Sequence, residues 1–357
     1  MKFGLMPVDE AEGAILAHAV RTQHAALKKG DVLSPERRRA LAAAGVERVV
    51  AARLEAGDIG EDEAALALAI RLAGEHVRLA APFTGRVNLF AEQAGLAMIE
   101  AAAVDRVNAV DEAITVATLP GYRAVAAGDM VATVKIIPFA TRRETLRAAL
   151  AALGSEPAVS LAPFRPMRFA VVSTLLPGLK ASVVVKTLRV LEERLAPAGA
   201  RIVGHETAPH EIGPLAGVLA RVANGPDAVI VFGASAITDR RDVIPAAIEA
   251  IGGTVERFGM PVDPGNLLLL ARVGATPIVG APGCARSPKE NGFDWILQRL
   301  IAGVPAAPAD IRAMGVGGLL MEIASRPQPR APGPERAPPP APRRPAAREP
   351  HPREPNG

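Results

Sequence analysis

Two stretches in the C-terminal half constrain this chain most: VIVFGASAITDRRDV at residues 229–243 and PIVGAPGCARSPKENGFDW at residues 277–295. Each is a short apolar run that gives way to small residues, then to hydroxyls and charge, and finally to a helical pattern. That order describes a buried parallel strand delivering a loop to the start of a helix. Bare backbone N–H groups and the positive end of the helix dipole make such a loop a place for anions. Two of them in one sheet predict a single elongated, polyanionic small molecule held between them.

The surrounding pattern supports this reading. From Met167 onward, strand-like and helix-like pieces alternate regularly. Residues 168–173 (RFAVVS) read as a strand, and Val184, Leu188, Leu191 and Leu195 then recur at helical spacing. Residues 201–204 begin a second strand; Ile212, Leu215, Leu219 and Val222 mark a second helix. Residues 228–232 are wholly apolar, as expected for a strand covered on both faces. Pro245 falls in the first turn of the next helix, where its missing N–H costs little, and Gly252-Gly253 ends it. Residues 278–279 form another strand, and Phe293, Ile296, Leu297, Leu300 and Ile301 make the apolar stripe of the last long helix. Repeated units of this kind predict an α/β fold, an open and mostly parallel sheet with helices on both faces. Ligands in such sheets bind beyond the carboxyl ends of the strands.

The chain of 357 residues predicts two or three domains at about 150 residues each. Residues 1–140 read as a smaller, mixed α+β accessory domain, with strands at 46–52, 113–118 and 130–137. An acidic stretch at 58–62 leads into a helix that ends before Gly74. The segment FTGRVNLFAEQAG at 83–95 has a turn that can approach a ligand. Residues 141–166 form a connection, with a helix at 142–153 and a Pro-containing stretch at 154–166. The ligand-binding domain is expected over 167–325. Residues 326–357 carry 12 of the 33 prolines with almost no large apolar side chain, so a disordered, polyproline-like Pro/Arg-rich tail is expected.

Composition removes several function classes. Aromatics are only 3% against 49% hydrophobic, so the cores must be built from Ala, Val, Leu and Ile. The single cysteine, Cys284, excludes an internal disulfide framework and a multi-cysteine zinc site. The N-terminal MKFGLMPVDEAEG turns acidic where a signal peptide needs an apolar stretch, and no apolar run reaches about 18 residues. A cytoplasmic protein that does not engage membranes is expected. The net charge of +4 is accounted for by the tail's seven Arg and three Glu, which leaves the body neutral. With no basic stripe and few aromatics, nucleic acid is not an expected partner. Neither a GxGxxG fingerprint nor a P-loop is present, which removes support for a nicotinamide dinucleotide or a Walker-type ATP site.

Within the first loop, Gly233 and Ala234 let a ligand approach the backbone, and Ser235 and Thr238 add hydroxyls. Arg240 and Arg241 can fork onto phosphate oxygens, and Asp242 is the carboxylate placed for catalysis or a metal ion. The competing reading makes Asp242 a helix cap and leaves the arginines in water. In the second loop, Pro282, Gly283 and Cys284 form a turn, followed by Arg286, Ser287 and Lys289 as a phosphate cradle. Cys284 reads as a small apolar residue against the ligand rather than a nucleophile. Between the loops, Asp263, Gly265 and Asn266 can complete one wall. His205 and His210 flank the exit of the second strand without metal-ligand spacing and read as structural or exposed.

Residues from about 167 to 303 resemble the molybdopterin-binding domain shared by molybdopterin molybdenumtransferases and adenylyltransferases. Gly233-Ala234-Ser235 with downstream Asp242 matches that family's Gly-Gly-x-Ser/Thr loop. Pro264-Gly265-Asn266 and Pro282-Gly283-Cys284-Ala285 match its later Pro-Gly turns. The segments DRRDVIPAAIEAIGG, GMPVDPGNLLLL and GAPGCARSPKENGFDW together look like a bacterial subgroup often fused to a molybdenum cofactor cytidylyltransferase domain, which is not found here. Against the family pattern, the loop after the strand at 168–173 holds Thr174-Leu175-Leu176-Pro177-Gly178 where an acidic residue is usual, and Ala234, Ala236 and Ala285 replace Gly, Gly and Pro. The resemblance implies a cytoplasmic, homo-oligomeric protein of molybdenum cofactor biosynthesis that binds molybdopterin or its molybdenum-loaded form as ligand or substrate. Mg2+ or molybdate are further candidates, and a cytidylyltransferase or a molybdoenzyme is the implied protein partner. If catalytic, it would be a transferase resembling molybdopterin molybdenumtransferase, assisting molybdenum insertion or delivery for nucleotide attachment. The alternatives are a non-catalytic carrier or scaffold and a nucleotide hydrolase.

Overall fold

A six-stranded sheet organises the C-terminal part of the protein, with strand order Arg201–Pro209, Arg168–Leu175, Ala228–Phe232, Thr276–Ala281, Leu269–Val273, Thr254–Phe258. The first four strands run parallel, and only Leu269–Val273 opposes its neighbours. The computed structural model describes residues 1–23 and 26–320; the tail expected at 326–357 and the last residues of the 167–325 domain lie outside them.

The central strand Ala228–Phe232 shows why the pattern is wholly apolar. Ala228, Ile230 and Phe232 enter one core with Leu191 and Leu195 of helix Ala181–Leu195 and with Phe293, Ile296 and Leu297 of helix Gly292–Ala302. Val229 and Val231 enter the other core, with Leu215 and Leu219 of helix Ile212–Val222 and Ile244 and Ile248 of helix Val243–Ala250. Side chains alternate across a strand, so both registers must be apolar when helices cover both faces. The neighbouring strand repeats the rule, with Phe169 and Val171 on one side and Ala170 and Val172 on the other.

The chain order places a switch point between Arg168–Leu175 and Ala228–Phe232. From Arg168–Leu175 the chain crosses through helix Ala181–Leu195 to one neighbour and later returns to add Ala228–Phe232 on the opposite side. Such a reversal opens a crevice beyond the carboxyl ends of the two strands.

The N-terminal part is β-rich. Strands Lys2–Pro7, Arg48–Arg53 and Ile15–Leu16 form an antiparallel sheet over helix Pro35–Ala43, which Ser34 caps. Residues 58–163 contribute small antiparallel sheets and the helix Glu61–Leu72, joined around Leu68, Leu72, Leu89, Val134 and Ile136. The stretch expected as a Pro-containing connection holds a strand, Val159–Pro163, paired with Gly95–Ile99. Val159 and Leu161 enter the same core as Leu146 and Leu153 of helix Arg143–Leu153. Among the described residues, no helix is long and apolar enough to cross a membrane.

Candidate functional site

At the switch point, buried polar side chains replace the apolar ones. Ser173 and Thr174 end the strand Arg168–Leu175 fully covered, at 1% and 0% exposure. The Thr174 hydroxyl accepts the Ala234 N–H at 2.8 Å and lies 2.8 Å from His210 Nδ1. The adjacent Ser173 hydroxyl lies 3.2 Å from His205 Nε2. Burial pushes the His205 imidazole below its ordinary value, because the charged form loses water. The histidines thus take up the structural reading, each against a hydroxyl at the strand tip.

The two loops meet through one side chain. Arg286 donates from Nη2 to the Gly233 carbonyl at 3.0 Å and from Nη1 to the buried Thr187 hydroxyl at 2.7 Å. Thr187 in turn donates to the Val183 carbonyl of its own helix. The guanidinium also sits 5.4 Å from the centroid of the Phe232 ring. The Ser235 and Arg286 turns therefore share one end of the sheet. Burial lowers the Arg286 pKa, yet from so high a starting point that the group stays cationic. Among the described residues no carboxylate pairs with it. It is a half-buried positive charge beside the backbone of the first loop.

Beyond Arg286, the second loop folds down along helix Ala181–Leu195. Arg194 donates to the carbonyls of Ala285 at 2.9 Å, Ser287 at 2.6 Å and Lys289 at 3.3 Å, and to Asp294 Oδ1 at 2.5 Å. Asp294 Oδ2 accepts the Asn291 N–H while Asn291 Oδ1 accepts from Phe293, a capping box that starts helix Gly292–Ala302. Thr187 and Arg194 are seven residues apart, about 10 Å along a helix rising 1.5 Å per residue. Arg286 is thus hooked at the crevice, whereas the Ser287 and Lys289 backbone is held two turns further along. Lys289 and Gly283 are exposed, and Pro282 is buried.

The first loop carries its own clasps. Both Asp242 oxygens accept backbone N–H groups, from Val243 at 2.8 Å and Thr238 at 3.1 Å, so this residue caps helix Val243–Ala250. Arg241 forks onto Asp239 at 2.8 and 3.1 Å, which holds the Asp239 carboxyl down at about 2. Arg240 reaches back to the Val255 carbonyl at 3.4 Å. Ser235 and Thr238 are exposed. Asp263, Gly265 and Asn266 face a different neighbour: Gly292 donates to the Pro264 carbonyl, and a Cβ on Gly265 would come within 2.7 Å of Gly292. Asp263 exchanges backbone bonds with Gly318 and Leu320. Among the described residues, no three His, Cys, Asp or Glu side chains gather to hold a metal ion.

This arrangement, with two loops tied across a switch point and a cation beside bare backbone, can be set against known proteins. Residues 169–305 match the family described as "probable molybdopterin binding domain". Residues 5–53 match a domain of unknown function. No curated protein matches the chain. Among solved structures, the chain is similar to the molybdopterin biosynthesis moeA protein of Pyrococcus horikosii, at 13% identity and TM-score 0.31, covering 85% of this chain and 75% of that one. A molybdopterin biosynthesis moeA protein from Pyrococcus horikoshii OT3 gives 11% identity and TM-score 0.26, covering 85% of this chain and 76% of that one. A structure of molybdenum cofactor biosynthesis protein B gives 15%, 0.27, 38% and 87%. The molybdopterin-binding match spans both loops, the switch point and the Arg194–Asp294 pair.

Thr187, Arg194 and Asn291 have no part in the site expected from the sequence, and Thr174 enters there only as a departure from the family pattern. The Asn291-x-x-Asp294 spacing before an apolar stripe is a readable capping signal. Arg194 has no local signal, because its partners lie 91 to 100 residues away.

Proposed function

We propose that this protein binds molybdopterin, or its molybdenum-loaded form, in the switch-point crevice and serves molybdenum cofactor biosynthesis. The observation that carries this reading is the Arg286–Gly233 bond, which joins two anion-type loops within the segment matched as a molybdopterin-binding domain. In this reading Gly233, Ala234, Ser235 and Thr238 supply backbone and hydroxyl donors to the phosphate end. Arg286 supplies the fixed charge, and Arg240, Arg241 and Lys289 supply outer charge. Pro282, Gly283, Cys284 and Ser287 form the facing loop, while Asp263, Gly265 and Asn266 brace it through the start of helix Gly292–Ala302.

A binding or delivery role without turnover is favoured by Asp242, whose two oxygens are engaged as a cap. Its donor set does not fit a resident Mg2+, and molybdate belongs to the reading only as cargo. Handover to a cytidylyltransferase or a molybdoenzyme, and assembly as a homo-oligomer in the cytoplasm, complete the proposal. Purified from a molybdopterin-making host, the protein should yield an oxidisable, fluorescent pterin, and Arg286→Met should strip it. A pterin-free preparation that also fails to take up added molybdopterin sinks the reading. Cofactor formation that depends on molybdate and is lost in Asp242→Asn would replace the carrier with a transferase.

A further inference from the structure

We propose a second small-molecule site, separate from the crevice, that takes a compact, neutral, flat molecule bearing one carboxamide-type edge. The observation is a cavity of about 310 Å³ between Ala94 and residues 124–126 of the β-rich part and the helices of the C-terminal domain. Ligand pockets start near this size, so the occupant is limited to about one or two rings. Its walls are largely apolar, with Val125, Phe164, Leu297 and Ile301 among them.

The polar groups decide the ligand's chemistry. Arg194 and Asp294 lie in the wall, but they neutralise each other, and both Asp294 oxygens and every Arg194 nitrogen have protein partners. A charged ligand would therefore find no free counter-charge in them. That leaves Gln298, which lies beside Asp294, Leu297 and Ile301 on one face of helix Gly292–Ala302. Among the described residues its side-chain amide makes no hydrogen bond. An amide presents an acceptor and donors side by side, so its best complement is another amide or lactam edge. The apolar walls then take the flat body. Because Arg194 stands two helical turns from Thr187, the cavity is distinct from the Arg286 crevice, and the inference does not rest on what that crevice binds.

Benzamide is a suitable probe, with toluene as the amide-free control, titrated at millimolar concentrations into the full chain by ligand-observed NMR and calorimetry. Saturable benzamide binding is expected. Gln298→Leu should weaken it about fivefold, the worth of one hydrogen bond, without weakening toluene. Ala126→Trp, at an exposed position on the rim, should close the cavity to both. Arg286→Lys should leave the probe unaffected. No saturable binding, or binding indifferent to both Gln298→Leu and Ala126→Trp, overturns the proposal. Loss in Arg286→Lys with retention in Ala126→Trp also overturns it, by moving the probe to the crevice.

Discussion

Arg286 and Gly233 lie 53 residues apart in sequence and are joined by a 3.0 Å bond from guanidinium to carbonyl, which ties the two loops together. The same guanidinium holds Thr187, tying both loops to helix Ala181–Leu195. Arg286→Lys keeps the charge but cannot reach two acceptors in a fixed fork. Pterin affinity should fall about tenfold, corresponding to roughly 1.4 kcal/mol, and Arg286→Met should lose more. Fluorescence titration with molybdopterin checks both.

Arg194 and Asp294 form a pair whose side chains are each 10% exposed. Arg194→Leu would leave a buried carboxylate and three carbonyls without their donor, at a cost of about 3–5 kcal/mol in urea unfolding. The double variant Arg194→Leu, Asp294→Leu removes the stranded charge as well. It should recover part of that loss, and a double-mutant cycle measures how much.

Asp242→Ala should cost about 1 kcal/mol through the lost helix cap, whereas Asp242→Asn keeps an oxygen for the cap and should stay close to wild type. Equilibrium unfolding of the two variants reads this directly. Retained pterin binding in Asp242→Asn is the expected companion result.

Partial desolvation of the His205 ring beside Ser173 favours its neutral form, so its folded pKa lies below the unfolded value near 6.5. The unfolded chain then binds the proton more readily. Stability should be fully present above pH 6.5 and decline as pH falls toward the folded pKa, with no further contribution below it. Replacing His205 with Gln should flatten the pH dependence of the unfolding midpoint in that window alone.

Much of the parallel sheet was legible because its strands are apolar in both registers. Ala228–Phe232 has the bounds expected of it, and helix Ile212–Val222 spans its predicted stripe. Residues 168–173 and 201–204 were read too short. Their strands run on to Leu175 and Pro209 through polar residues such as Thr174 and His205, which pair along the ladder despite their composition. The strands Thr254–Phe258 and Leu269–Val273 were not read at all. Thr254–Phe258 carries Glu256 and Arg257, and Leu269–Val273 follows directly on a segment whose signal is the Asp263, Gly265 and Asn266 turn. At the site, residue types that suit anions were visible, but their partners were not. Whether Arg241 meets a phosphate or Asp239, and whether Asp242 meets a metal or Val243 N–H, depends on side-chain direction, which spacing does not encode.

The Arg194 clamp has a bearing on kinetics. A segment whose carbonyls are already pinned to a helix surrenders little freedom when a ligand arrives, since that ordering was settled during folding. Capture should then be a single step, with an observed rate rising linearly with ligand concentration and no slow phase for loop closure.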